Sequence, residues 1–315
     1  MRKVYLSLTG GLGNQLFQLS AALAVAKEDE VVIEWINSRP RLNSNHLAEI
    51  SDFELPKNVT FRKSHKFQTL SSKAVGYLLR MGVNPRKCEK YELFRNLAST
   101  AASLINVPTF GKYVQIHLNQ GVGYFPKVSK ESNASLHLIG YFQTHKWIEE
   151  SAGSSSLTNI SIKQPSEALT SLTNLAEQEA PLVIHMRFGD YRLENSFGLL
   201  TPKYYQESIR ELWKSDLYKT AWVFSDEIDE ARRYLQGLDI REIRYIADVA
   251  NSSAQTLEAM RLGKGYVIGN SSFSWWAARL SRNQDAKVIA PSPWFIGQEE
   301  PVELIPPNWV RRMGH

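Results

Sequence analysis

Arg187 and Asp190 stand three residues apart in the run His185-Met186-Arg187-Phe188-Gly189-Asp190, directly after the apolar stretch 182–184. A planar guanidinium makes paired, charge-assisted hydrogen bonds to phosphate oxygens and keeps its charge, so Arg187 is suited to a diphosphate. Asp190 is placed either to orient that guanidinium or to take a hydroxyl proton. His185 reads two ways, as a general base or as a buried structural histidine at a strand end. Further along, GNSSFSWWAARL at 269–280 sets the N-cap residues Asn270 and Ser271 ahead of a helical Ala277, Ala278 and Leu280. The free N–H groups and dipole of a helix starting there attract an anion. The same residues also describe an ordinary capped helix anchored in a core by Trp275 and Trp276.

Three other places carry polar side chains at the ends of apolar runs. Asp226, after the strand 222–224, is either an acceptor for a nucleobase edge or ribose, or the cap of the next helix. Glu258 lies on the helix before the strand that leads to NSSFS, where it either holds a ribose hydroxyl or is a solvated helix acid. In GGLGNQ, Gly10, Gly11 and Gly13 permit positive φ and close backbone approach, with Asn14 then at a helix N-cap. That turn matches neither nucleotide fingerprint, because Leu16 occupies the place of the third small residue and no Gly-Lys-Ser/Thr follows. It stays open between ligand loop and structural turn. The chain contains no DxD, HExxH, CxxC or GxSxG, so divalent-metal, zinc and α/β-hydrolase chemistry lack support.

These residues need a scaffold, and the second half of the chain supplies its outline. Strand-like runs begin at Leu182, Ala221, Ile243, Gly265 and Lys287, the last four at intervals of 22 residues, with helical patterns at 204–212, 228–235, 253–262 and 273–280. That pitch predicts short βα units in a doubly wound parallel sheet, whose ligands sit at the carboxyl ends of the strands. In the first half, Val4, Leu6 and Leu8 alternate as a strand, and Leu16, Leu19, Leu23 and Ala26 follow helical spacing before the apolar run 31–33. A helix around 72–79 and a strand around 136–141 complete what is legible there. The Ser, Gly, Thr and Asn of 151–164, ending in Pro165, predict a linker between an α/β domain at 1–155 and a second at 165–315.

At 315 residues, 43% hydrophobic and 22% charged, the chain is a globular protein with material for two cores. Its single cysteine, Cys88, excludes an intrachain disulfide framework and points to a reducing compartment. The apolar stretch 4–8 is broken by Thr9-Gly10-Gly11, too short for a signal peptide or a membrane span, and a cytoplasmic protein is expected. The net charge of +5 is concentrated, because segment 57–90 holds nine Lys or Arg against Glu89 alone. Such a segment suits nucleic acid, an anionic membrane or a phosphorylated substrate, and equally a solvated face.

GGLGNQLFQ at 10–18, GYFQ at 140–143, HMRFGDY at 185–191, FSDE at 224–227 and NSSFSWWAA at 270–278 together resemble the α-1,2-fucosyltransferase family. The resemblance implies an α/β fold of two facing Rossmann-like domains, the glycosyltransferase-B architecture, with residues 1–155 mainly on the acceptor side and 165–315 binding a GDP-sugar. It implies inverting transfer of L-fucose from GDP-fucose to the 2-hydroxyl of a terminal galactoside, with no cofactor and no metal. Mapped by motif, the catalytic residues are Arg187, Asp190 and His185. The donor set is Gly11, Gly13, Asn14, Gln15, Arg187, Asp226, Glu258, Asn270, Ser271, Ser272 and Phe273. Two positions depart from the pattern: Phe188 stands where the family has a second arginine, and Glu227 where it has a second aspartate. The implied partners are GDP-fucose and a galactoside acceptor, lipid-linked where a surface glycan is built, with peripheral contact to the inner membrane through 57–90 and no nucleic acid. Another GDP-sugar glycosyltransferase is the alternative, and a non-catalytic sugar- or nucleic-acid-binding protein is a weaker one resting on the basic segment.

Overall fold

The computed structural model describes residues 2–8, 10–35, 49–62, 106–109, 112–118, 124, 135–150, 157–193, 197–297, 300 and 303–315. The chain forms two compact units, Met1–Ser51 with Leu55–Ile160, and Asp52–Glu54 with Ser161–His315. Most of the basic segment, 63–90, lies outside the described residues, as do the helix expected around 72–79 and positions 151–156 of the expected linker. The rest of that linker is ordered, and Ile162 pairs with Phe53 in an antiparallel bridge.

In the first unit the chain runs β1 (Lys3–Leu8), α1 (Leu12–Ala26), β2 (Glu30–Trp35), β3 (Val59–Arg62), β4 (Asn106–Thr109), β5 (Lys112–Leu118), β6 (Ser135–Ile139) and α2 (Lys146–Glu150). The sheet order is β3-β2-β1-β6-β5-β4, parallel throughout except for the edge pair β4–β5. Val4, Leu6 and Leu8 of the central strand are fully buried. Nearly every residue of α1 is buried, which is why its apolar positions crowd together instead of forming one stripe. The strand order reverses between β1 and β6, so the glycine turn after β1 and the GYFQ segment after β6 share one carboxyl edge.

The second unit continues with α3 (Glu167–Glu179), β7 (Leu182–Met186), α4 (Pro202–Trp213), β8 (Ala221–Ser225), α5 (Ile228–Tyr234), β9 (Ile243–Tyr245), α6 (Ser253–Met260), β10 (Gly265–Val267), α7 (Ser272–Arg279), β11 (Lys287–Ser292) and β12 (Val310–Met313). All its strands are parallel, in the order β12-β11-β10-β7-β8-β9, a doubly wound sheet that reverses between β7 and β10. β7 is buried along its whole length, as a central strand covered on both faces must be. Local chemistry starts the helices: Ser166, Thr201, Ser252 and Ser271 each cap one by accepting a backbone N–H, and Pro202 adds a pre-set φ to the first turn of α4. Tyr204, Tyr205, Ile209 and Leu212 of α4 then cover Leu182, Ile184, Val223 and Val267 of the sheet in one core. Trp222, Trp275 and Trp276 have no exposed surface. Among the described residues no helix is long and apolar enough to cross a membrane.

Candidate functional site

The reversal point of the second sheet gathers the residues that sequence singled out. β7 delivers Arg187 to its carboxyl end, where the guanidinium Nε and one Nη each lie 2.9 Å from Asp190 Oδ1. Nε also stands 3.4 Å from Oδ2 of Asp226, at the end of β8. Asp226 does not cap α5; its Oδ1 accepts the Phe188 N–H at 3.0 Å, and Glu227 occupies the cap position. Asp226 therefore holds both the backbone and the side chain of the Arg187 loop. Gly189 belongs there for closeness, because a Cβ on it would come within 2.7 Å of Asp226 Oδ2.

His185 is 7% exposed, and burial, aided by the Arg187 charge, lowers its pKa to about 3. The ring is a neutral imidazole at physiological pH and a weak proton acceptor, 5.9 Å between centroids from Phe273, whereas the Asp190 side chain is 55% exposed. Among the described residues Nδ1 of His185 has no hydrogen-bond partner.

Across the same reversal point, α7 starts at Ser272 with Ser271 as its N-cap, accepting from the Phe273 N–H at 3.3 Å. Ser272 and Phe273 are partly exposed at this helix start, and Ser271 is nearly buried. Asn270 is spent on structure: its Nδ2 donates to the carbonyls of Phe197, Gly198 and Trp294, at 2.8, 3.3 and 3.3 Å. Its own carbonyl accepts the Tyr191 hydroxyl at 3.2 Å, which ties the loop after β7 to the segment after β10. Burial pushes Tyr191 up to about 12, so that hydroxyl keeps its proton. Trp275 and Trp276 are core anchors, the Trp275 indole donating to the Leu304 carbonyl at 3.0 Å.

Glu258 requires a correction. It is neither solvated nor at the carboxyl edge; it is 2% exposed, with one oxygen paired to Arg261 and the other 3.0 Å from Arg282. Arg261 Nε also donates to the Leu280 carbonyl, just past the end of α7, and Lys264 N–H to the Pro181 carbonyl just before β7. A residue near the end of a helix that feeds a parallel strand lies at the amino edge of the sheet, opposite Arg187 and Ser272.

Phe188 and Glu227, the two departures, have local explanations. Phe188 is 1% exposed, packed edge-on to Tyr234 at 4.9 Å with the Arg192 guanidinium 5.6 Å from its ring. Glu227 accepts from Arg192 at 2.6 Å. Neither replaces a contact of Arg187.

In the first unit the helix begins earlier than expected: Gly11 is the N-cap of α1 and Asn14 lies in its first turn. Gln15 is fully buried, donating to the Gly10 carbonyl at 2.9 Å and accepting the Ile50 N–H at 3.0 Å, so its amide is fixed by the fold. Gly13 is buried within the helix, while Gly11 is exposed and Asn14 half-buried. Sequence reasoning gave no role to Gln143, whose Nε2 donates to Asn14 Oδ1 at 2.7 Å. Phe142, before it, is buried with φ +54°, a conformation that costs a bulky residue on the order of 1–3 kcal/mol. The signal available was the polar residue just past the end of β6, on the strand next to β1. Among the described residues no group of three or more His, Cys, Asp or Glu side chains is arranged to hold a metal ion.

Residues 140–310 match the model of glycosyl transferase family 11. The chain is 29% identical over 197 residues to an alpha-1,2-colitosyltransferase of Escherichia coli, covering 60% of this chain and 66% of that one. It is 24% identical over 344 aligned positions to the O-antigen biosynthesis glycosyltransferase WbnK of Escherichia coli, covering 98% and 99% of the two chains. The solved fucosyltransferase NodZ from Bradyrhizobium superposes with a TM-score of 0.49 at 14% identity, over 90% of this chain and 96% of that one.

Proposed function

This chain belongs to glycosyl transferase family 11, and we propose on that premise that it moves L-fucose from GDP-fucose to the 2-hydroxyl of a terminal galactoside during O-antigen synthesis. The observation that carries the reading is the pairing of Arg187 at the end of β7 with the partly exposed helix start at Ser272 and Phe273, both at one sheet reversal. A guanidinium and a set of amide N–H groups at that spot suit a diphosphate. In the transfer, the acceptor oxygen attacks the anomeric carbon from the face opposite GDP, and the carbon–oxygen bond to the diphosphate breaks with its electron pair leaving on GDP. The transition state carries oxocarbenium character on the sugar and growing negative charge on the diphosphate, which Arg187 and the α7 amides stabilise. The acceptor proton goes to Asp190, whose carboxylate is exposed at the strand end, whereas the His185 ring is buried.

The test is mass and linkage analysis of products from GDP-fucose with lactose and related β-galactosides. One added deoxyhexose on the galactose 2-hydroxyl is expected. A colitosyltransferase among the relatives makes the donor sugar the point to challenge, so GDP-fucose, GDP-colitose and GDP-mannose belong in one competition assay. Transfer from GDP-colitose or GDP-mannose with none from GDP-fucose overturns the donor assignment and leaves the diphosphate chemistry standing.

Activity is expected to persist in excess chelator. The chain has no DxD triplet, and Arg187 with the α7 amides supplies the positive charge that a divalent ion would otherwise bring. Complete loss in chelator, with recovery on adding magnesium or manganese, contradicts this expectation.

A further inference from the structure

We propose that Gln143 is a positioning residue that fixes the orientation of the Asn14 amide and so presents its N–H groups to an oxygen of the bound GDP-sugar. The inference rests on the GDP-sugar reading above together with the donor set mapped by motif, to which Asn14 belongs. Parallel pairing of Val4 with Leu136 and Leu6 with Leu138 brings the ends of β1 and β6 side by side, so residues 10–14 and 140–143 meet at the reversal point of the first sheet. There Gln143 Nε2 donates to Asn14 Oδ1 at 2.7 Å, and among the described residues it is the one side-chain bond either amide makes.

An asparagine amide has two nearly isosteric ends of opposite character, and only the environment decides which end faces a ligand. Here the acceptor end is taken by Gln143. The donor end lies over Gly10, at φ +77°, where a Cβ would approach Asn14 Nδ2 to 2.8 Å. Asn14 is half-buried in the first turn of α1, so the remaining N–H capacity of Nδ2 is open to a ligand oxygen. Gln143 is itself held from behind: the Phe142 ring is buried against Trp147, at 6.4 Å between centroids and 78° between planes, and its φ of +54° turns the chain so that Gln143 emerges on the Asn14 side. A conformation of that kind persists where the surroundings over-determine it, and it gathers at ligand sites.

The test is a double-mutant cycle on the full chain, Gln143→Leu, Asn14→Ala and both together, with GDP-fucose binding by calorimetry and transfer kinetics as readouts. Gln143→Leu is expected to weaken donor binding about tenfold, the size of one lost polar contact, with the acceptor KM unchanged. In the Asn14→Ala background it should add nothing. Gln143→Glu is the second variant, with a carboxylate of similar shape that accepts instead of donating. It should turn Asn14 so that its oxygen faces the ligand, and so cost more than Gln143→Leu while the thermal midpoint moves little. Additive losses, or Gln143→Glu tolerated better than Gln143→Leu, overturn the positioning role while leaving the donor reading intact. Wild type that binds neither GDP nor GDP-fucose overturns both.

Discussion

Arg187→Lys is expected to lower kcat/KM for the GDP-sugar by about a hundredfold, equivalent to ~2.7 kcal/mol of transition-state stabilisation. The charge survives the substitution and the geometry does not. The guanidinium meets Asp190 Oδ1 through two nitrogens at 2.9 Å while Nε reaches Asp226 Oδ2 at 3.4 Å. An ammonium is a point charge on a shorter, flexible arm, so it cannot span the two carboxylates and still offer a fork to a diphosphate. The other Asp226 oxygen, Oδ1, still accepts the Phe188 N–H, so the loop should keep its shape and the loss should fall on kcat more than on folding. Steady-state kinetics with a thermal melt of both proteins checks this. A lysine variant that keeps most of the wild-type turnover removes Arg187 from the diphosphate.

Glu258→Ala is expected to act on the fold and not on the chemistry. Removing the carboxylate breaks its ion pair with the Arg261 side chain, 6% exposed, and breaking a buried pair in this way typically costs ~3–5 kcal/mol. For a unit of this size that corresponds to a fall in the melting midpoint of roughly 10 °C. Well below the transition, kcat/KM per folded molecule should equal that of wild type. A variant that melts normally but binds GDP-fucose weakly restores the ribose contact expected from sequence.

The pair shows what residue order reveals and what it hides. β7 to β11 begin at the residues expected from apolar runs; the buried strands β7, β8 and β10 leave little room for polar side chains, and helix starts betray themselves through Ser and Thr caps. β12 escaped because Val310–Met313 is a polar edge strand, and α3 because its buried stripe is only Leu169, Leu172 and Ala176 within a Ser-, Thr- and Glu-rich stretch. The Arg187, Asp190 and Asp226 cluster was legible because all three follow strands of one parallel sheet. Glu258 was misplaced by reading its nearness in sequence to NSSFS as nearness in space. The helix intervenes and carries its last turn to the far edge. Phe188 sits in a polar run yet faces the core, where it packs against Tyr234. Gln143 was hidden because its partner Asn14 lies 129 positions away.

The two carboxylates around Arg187 also govern how a ligand arrives. Before anything binds, Arg187 is already paired with Asp190 and stands beside Asp226, and nearby Arg192 and Arg233 are paired with Glu227 and Glu230. The charge of this arginine is answered by its own carboxylates, so it offers an arriving anion little until the two are in contact. Capture is an exchange at contact distance, in which phosphate oxygens displace carboxylate oxygens already in place. Free phosphate, with neither base nor sugar to hold it, gains little from that exchange, and the arginine is guarded against the commonest small anions around it.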